Sequence, residues 1–157
     1  MKKTFILLTA MLVSFGSIAQ QSIDLGTLWQ RYAFYAGGIS GLRSMNDSKH
    51  YTAQAEGTIE KYSYMTGEKV ATLLDVNFLA QEEDRVPNFD SYSLSNDEQW
   101  ALLETETDQI YRRSSKSVVY VVNLQSLQAT KIRPEKISNA TFSPDGEYVA
   151  YVMDNNL

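Results

Sequence analysis

The chain has 157 residues, a formal net charge of −5, 43% hydrophobic residues, one histidine and no cysteine. The hydrophobic share predicts one folded domain rather than a disordered chain, and the negative charge argues against a surface for nucleic acid or anionic lipid. Without cysteine the chain has no disulfide, thiolate metal site or cysteine nucleophile, and we expect neither a metal nor a cofactor.

The first nineteen residues have the layout of a secretory signal peptide. Two lysines precede an uncharged, mostly apolar run over residues 5–18, and Ser17 and Ala19 are the small residues that a signal peptidase reads. The apolar run is shorter than the roughly 20 residues that a transmembrane helix needs. The sequence therefore predicts a signal peptide over residues 1–19, export, and no membrane association of the mature protein.

A lead-in segment follows over residues 20–41. Its apolar residues are spaced loosely like one face of a helix, so we expect one or two helical turns. Gly37, Gly38 and Gly41 then end any helix. Beyond this point the helical period disappears, and short strands between turn signals are predicted.

The strand pattern begins with a hairpin. Residues 58–64 are rich in β-branched and aromatic residues, a turn around Gly67 follows, and residues 69–74 return. Residues 81–88 form a polar connection whose acids we expect to face water rather than to hold a metal. Another strand is predicted to open at Trp100 and to stay extended through Glu106.

Two later segments, residues 118–122 and 148–153, contain apolar residues throughout. Such runs indicate strands that are buried on both faces. A turn over residues 123–126 follows the first of them, and residues 128–132 are predicted to pair back. Short strands that are covered on both faces require stacked sheets.

A repeated unit is the most informative pattern. Its clearest copy is Ser143-Pro144-Asp145-Gly146, a turn followed by an aromatic residue that opens a strand. Similar units surround Asp97 and Asp47, so that the three aspartates are 50 and 48 residues apart. In the first copy the aromatic Tyr51 comes one residue late, which we interpret as a small insertion.

A period of roughly 40–50 residues with several strands per unit is typical of the blades of a β-propeller. A β-sandwich with similar turns is the alternative, although sandwiches space their turns at about 8–12 residues without a longer period. The fold predicted for residues 42–157 is all-β: an incomplete propeller of about two and a half four-stranded blades. A closed ring needs about 4–8 blades, so we expect a truncated propeller that is marginally stable by itself.

The segments 102–104, 111–114, 119–124 and 140–146 resemble, in this order, the propeller of dipeptidyl peptidase IV and its relatives in the prolyl oligopeptidase clan. The likeness covers Trp100 to Leu157 and continues more weakly back to about Leu42. Its most specific part is the Tyr-Arg-Arg-Ser string at 111–114, because the Ser-Pro-Asp-Gly turn occurs in many bacterial propellers.

The resemblance implies an exported bacterial serine exopeptidase, periplasmic or secreted, that removes dipeptides after proline or alanine. Its propeller would cover a C-terminal α/β-hydrolase domain that carries a Ser-Asp-His triad. The present chain would then supply part of the substrate-chamber wall and no catalytic residue. The implied partners are peptide substrates and that hydrolase domain, and the resemblance is compatible with a homodimeric parent.

One substrate-binding position follows from the same resemblance. An arginine on a propeller loop contacts the substrate's backbone carbonyl in the family, and by register it falls on Arg112, with Arg113 as the weaker candidate. A guanidinium is suited to this because it offers a rigid fork of donors. The alternative is a pair of solvated surface arginines. The glutamates that bind the substrate's free amine in the family are expected beyond Leu157.

Other residues are poor candidates for chemistry. The string over residues 38–42 fails the Gly-x-Ser-x-Gly pattern at its last position. His50 replaces an aromatic residue at a strand start, and Glu104 and Glu106 are expected to share one solvated strand face. A non-catalytic periplasmic propeller that scaffolds other proteins, and a sibling peptidase that releases tripeptides or cuts internally, remain the rival functions.

Overall fold

The computed structural model describes residues 24–31, 34, 37–79 and 85–154. The chain divides into two compact units, Met1–Gly38 and Ile39–Leu157. In the first unit Gly26–Gln30 forms a single π-helical turn, in agreement with the one or two turns expected there. Within the described ranges no helix is long and apolar enough to cross a bilayer. The predicted signal peptide lies outside these ranges.

The second unit is built from antiparallel strands. They are, in chain order, β1 Arg43–Ser44, β2 His50–Ala55, β3 Thr58–Ser63, β4 Lys69–Asp75, β5 Ser91–Leu94, β6 Trp100–Tyr111, β7 Ser114–Asn123, β8 Ala129–Lys131, β9 Ser138–Phe142 and β10 Val149–Val152. A short 3-10 turn, Val76–Phe78, follows β4.

Each sheet connects its strands in sequence order. The first sheet has the order β1-β2-β3-β4, the second β5-β6-β7-β8, and β9 pairs with β10 in a third. We refer to them as blade 1, blade 2 and blade 3. Two four-stranded meanders and a half-formed third confirm the predicted incomplete β-propeller.

Blade 2 is packed on both faces. Leu103 of β6 faces blade 1, together with Val118, Tyr120 and Val122 of β7. Leu102 of β6 and Val119 of β7 face blade 3. Both leucines are at most 1% exposed. The first cluster joins blades 1 and 2 through these buried residues: Ile59, Leu74, Val76, Leu79, Val86, Phe89, Tyr92, Ala101, Leu103, Val118, Tyr120 and Val122. The apolar run over residues 118–122 is therefore buried on both faces, as predicted.

The second apolar segment differs from expectation. Tyr148 is 69% exposed, and Ala150 is exposed while Val149 and Tyr151 pack toward blade 2. Within the described residues this strand has a packing partner on one side, so burial on both faces was wrong for residues 148–153.

The polar connection between blades 1 and 2 also contains buried residues. Val86 is 1% exposed and Phe89 is 4% exposed, and both belong to the core between the blades. The C-terminal end of the polar connection therefore helps to close the core between the blades. The acids at 82–84 lie outside the described residues.

The three repeated turns have one hydrogen-bond pattern. In each turn, the backbone N–H of one residue donates to the carbonyl oxygen of the residue five positions later, at or directly before the start of the next strand. The pairs are Met45 to His50 at 3.0 Å, Ser95 to Trp100 at 2.9 Å, and Ser143 to Tyr148 at 2.8 Å. The residue after each aspartate adopts positive φ, 55° at Ser48, 58° at Glu98 and 77° at Gly146. The repeat that defined the period is thus structural.

The first copy of the turn contains no insertion, so that interpretation was wrong. His50 occupies the position that Trp100 and Tyr148 hold in the other copies. The aromatic Tyr51 is simply the next residue of β2. The imidazole of His50 stands where the other two copies have an aromatic ring, so no additional residue is present.

The aspartates of the two later turns accept hydrogen bonds inside their turns. Asp97 Oδ1 accepts from the hydroxyl of Ser95 and from the backbone of Gln99, and Asp145 is held in the same way by Ser143. These hydroxyls are the main reason why the pKa of Asp97 and of Asp145 lies below 3.8.

Adjacent turns are also linked to each other. Asn46 Nδ2 donates to the carbonyl of Asn96 at 2.6 Å, and Asn96 Nδ2 donates to the carbonyl of Pro144 at 3.5 Å. The backbone N–H of Asn46 also donates to Glu98 Oε1. The three turns therefore lie side by side along one rim of the stacked blades.

Candidate functional site

The hairpin between β6 and β7 projects from the opposite rim. β2 ends at Ala55, five residues after the strand-opening His50, whereas β6 ends at Tyr111, eleven residues after Trp100. The six additional residues correspond to about 20 Å of extended chain. We call the projecting residues 106–116 the arm.

Two irregularities shape the arm. The pairing of β6 with β7 shifts between Thr105 and Asp108, and again between Gln109 and Tyr111. At the first shift Glu106 adopts φ 50°, an uncommon conformation for a residue with a side chain. Bulges of this kind bend a strand and re-aim its side chains, and these two lie where the buried part of β6 ends.

Arg112 and Arg113 form the tip of the arm. Tyr111 pairs with Ser114, so the two arginines are the whole connection between β6 and β7. The connection is therefore a two-residue turn. Both are exposed, and neither makes a hydrogen bond or an ion pair with another residue that the structure describes. Two guanidinium groups are therefore free to bind a carbonyl or a carboxylate.

Two exposed apolar side chains precede the tip. Ile110 is 53% exposed and Tyr111 is 78% exposed. Aromatic residues and arginine are enriched where proteins bind partners. Tyr111 belongs to the Tyr-Arg-Arg-Ser string of the sequence, whereas Ile110 had not been predicted to take part, although an apolar residue directly before that string was a visible signal.

His50 belongs to a different cluster, on the rim that carries the repeated turns. Its Nδ1 bonds Asp47 Oδ2, and Lys61 Nζ lies 3.4 Å from the same oxygen. The His50 contact is the main reason why the pKa of Asp47 is strongly lowered. Because these three groups satisfy one another, the cluster stabilises the first turn, and His50 has the structural role that was predicted.

The remaining candidates do not assemble into a site. Glu104 accepts a hydrogen bond from Ser91 at 2.7 Å, while the bulge displaces Glu106 from a regular alternation, so the expectation of a shared face was wrong. Ser40 is exposed in the segment before β1. No group of three potential metal ligands occurs among the described residues.

Comparison with known proteins supplies the family context. Residues 95–157 match a family model described as "Dipeptidyl peptidase IV (DPP IV) N-terminal region". The crystal structure of Porphyromonas gingivalis dipeptidyl peptidase 4 is similar with a TM-score of 0.70 and 33% identity, over 87% of this chain and 20% of that one. Human prolyl endopeptidase FAP is 26% identical over 126 residues, which cover 79% of this chain and 15% of the relative. The chain thus spans a fifth or less of the length of these relatives.

Proposed function

Since the chain is part of the N-terminal propeller region of a dipeptidyl peptidase IV-type protein, we propose that it forms one wall of the substrate chamber of an exported serine exopeptidase. The reaction of the complete protein would be removal of a dipeptide from the N-terminus of a peptide, after proline or alanine. The chain itself would bind and orient substrate, and a separate hydrolase domain would cleave it.

The observation that carries this proposal is the arm, whose exposed arginine tip makes no hydrogen bond or ion pair within the part of the chain that the structure describes. Arg112 is held on a hairpin rather than on a long loop, which restricts where its guanidinium can lie. A bidentate donor at that place can bind the backbone carbonyl of a peptide and align its scissile bond, with Arg113 as a secondary contact.

The test uses the complete gene product that contains this chain, with Ala-Pro-p-nitroanilide as substrate. We expect Arg112→Ala to lower kcat/KM by about 10–100-fold, because a hydrogen bond to a charged group contributes about 1.5–3 kcal/mol. The kcat/KM of Arg112→Lys should lie between those of the wild type and of Arg112→Ala, since lysine keeps the charge but loses the planar, two-pronged donor geometry of the guanidinium. Arg113→Ala is the matched control and should have the smaller effect.

An unchanged kcat/KM in Arg112→Ala would remove the substrate-binding assignment. Absence of any hydrolysis of Ala-Pro, Gly-Pro or longer peptide substrates by the wild-type protein would instead favour the non-catalytic scaffold. Release of tripeptides or internal fragments would identify the sibling peptidase. N-terminal sequencing of the protein from the periplasm or the medium should give Gln20 as the first residue if export proceeds as proposed.

A further inference from the structure

The arm has little packing of its own. Every residue from 108 to 114 is exposed. A two-stranded hairpin is marginally stable in water by itself. Something beyond the ladder between β6 and β7 must therefore fix the direction in which the tip points.

Contacts at the base hold the arm on both of its edges. On the β6 side, the backbone N–H of Thr107 donates to Asp90 Oδ2 at 2.9 Å. On the β7 side, Ser117 and Ile137 exchange both of their backbone hydrogen bonds, each at 2.9 Å. The hydroxyls of Thr107 and Ser117 lie 3.0 Å apart and join the two edges.

Two contacts reach further out, into the arm itself. The hydroxyl of Ser138 donates to the carbonyl oxygen of Ser115 at 2.8 Å, and Lys136 Nζ lies 2.8 Å from Asp108 Oδ2. Ser115 belongs to β7 and Asp108 to β6. The segment 136–138, which we call the brace, thus grips both strands of the arm.

These two contacts differ in strength. The Ser138 bond is partly buried, where a hydrogen bond retains its ordinary value. The carboxylate of Asp108 is 70% exposed, and water screens such an ion pair so that it contributes little alone. Ser138 is therefore the principal contact and Lys136 the auxiliary one.

We propose that the brace fixes the orientation of the arm, so that Ser138 and Lys136 are positioning residues for Arg112. This inference rests on the proposed function, because it assumes that the tip contacts substrate. A tip that is already ordered binds with a smaller entropic cost than one that must be ordered by the substrate. The brace leads directly into β9. The packing of blade 3 against blade 2 would therefore set the position from which Arg112, on blade 2, contacts substrate.

The test combines two independent measurements on the complete gene product. Amide hydrogen exchange over residues 108–115 reports the order of the arm, and steady-state kinetics with Ala-Pro-p-nitroanilide report its use. We expect Ser138→Ala to accelerate arm exchange and to raise KM about fivefold, the equivalent of one ordinary hydrogen bond, with kcat changed little. Lys136→Met should act in the same direction, more weakly, and Lys49→Met is the exposed control on the other rim.

A double variant decides whether the brace acts through the tip. Combined with Arg112→Ala, Ser138→Ala should cause no further loss of kcat/KM, since coupled residues are non-additive. The inference would be overturned if the losses of kcat/KM in Ser138→Ala and Arg112→Ala were fully additive. It would also be overturned if amide exchange over residues 108–115 were unchanged in both Ser138→Ala and Lys136→Met. Either result would leave the role of Arg112 intact. If Arg112→Ala itself leaves the kinetics unchanged, the proposed function fails, and the exchange data show separately whether the brace orders the arm.

Discussion

The hydrogen bond between Tyr92 and Thr52 gives the sharpest test of how blades 1 and 2 are joined. The hydroxyl of Tyr92 lies 2.7 Å from Thr52 Oγ1 and 2.7 Å from the carbonyl oxygen of Gly41. Tyr92 is 3% exposed and Thr52 is fully buried. Burial of the ring also raises the pKa of Tyr92. Water therefore has little access to replace a hydroxyl that is removed.

We expect Tyr92→Phe to lower the free energy of unfolding by about 1–3 kcal/mol, because it leaves a buried polar group without its partner. Tyr64→Phe is the matched control. Its hydroxyl bonds Ser44 at 2.7 Å on a side chain that is 49% exposed, so its removal should cost no more than about 0.5 kcal/mol. Urea unfolding followed by tryptophan fluorescence measures both.

A second substitution tests the reason for the loss. In the double variant Tyr92→Phe with Thr52→Val both hydroxyls are gone and the carbonyl of Gly41 remains. Replacing both partners of a buried hydrogen bond by apolar groups can be nearly neutral. The double variant should therefore recover part of the stability that Tyr92→Phe loses. If Tyr92→Phe costs no more than Tyr64→Phe, the bond does not stabilise the contact between the blades and the reasoning is refuted.

Three further predictions concern other parts of the fold. Leu102→Ala and Leu103→Ala should each cost about 2–5 kcal/mol in urea unfolding, because each opens a cavity in a different core; a wild-type midpoint for either would show that its core is not closed. Gly57→Ala should destabilise more than Gly67→Ala although both residues have positive φ. An added Cβ at Gly57 would lie 3.0 Å from Cγ2 of the buried Val76, whereas nothing lies within 4 Å at Gly67; equal melting temperatures would contradict this. The pKa of Asp145 is lowered in the folded state, so its contribution is complete above the unfolded pKa and is lost as pH falls through the folded value; melting temperature in acid should therefore depend less on pH in Asp145→Asn, and parallel curves would disprove the linkage.

The sequence predicted those parts of the fold whose signals are local. The hairpin of β3 and β4 was predicted because β-branched strands flank Gly67, which takes φ 70°. The blades were predicted because the turn at Asp145 is marked by proline, aspartate and glycine, and similar turns recur about every 50 residues. Blade 2 was recognised through an apolar strand that demands cover on both faces.

Other features depend on contacts that no local pattern reports. The full length of β6 was not predicted, because Glu106 interrupts the alternation of a regular strand and only pairing with β7 keeps the chain extended. β1 is two residues long and carries no strand signal of its own. The register of Arg112 came from resemblance, whereas its exposure and its place on a two-residue turn required the structure. The brace joins residues such as Ser115 and Ser138, whose side chains are common in any loop.

The opposed leucines of β6 have a consequence for how the molecule tolerates change. Because neighbouring residues of one strand serve different interfaces, sliding β6 by one position would exchange their destinations and disrupt both at once. The stability of each blade thus depends on its interfaces with the neighbouring blades, as in repeat proteins, where each unit contacts only its neighbours. Insertions should accumulate at strand connections such as the arm, while the lengths of the strands inside a blade stay fixed.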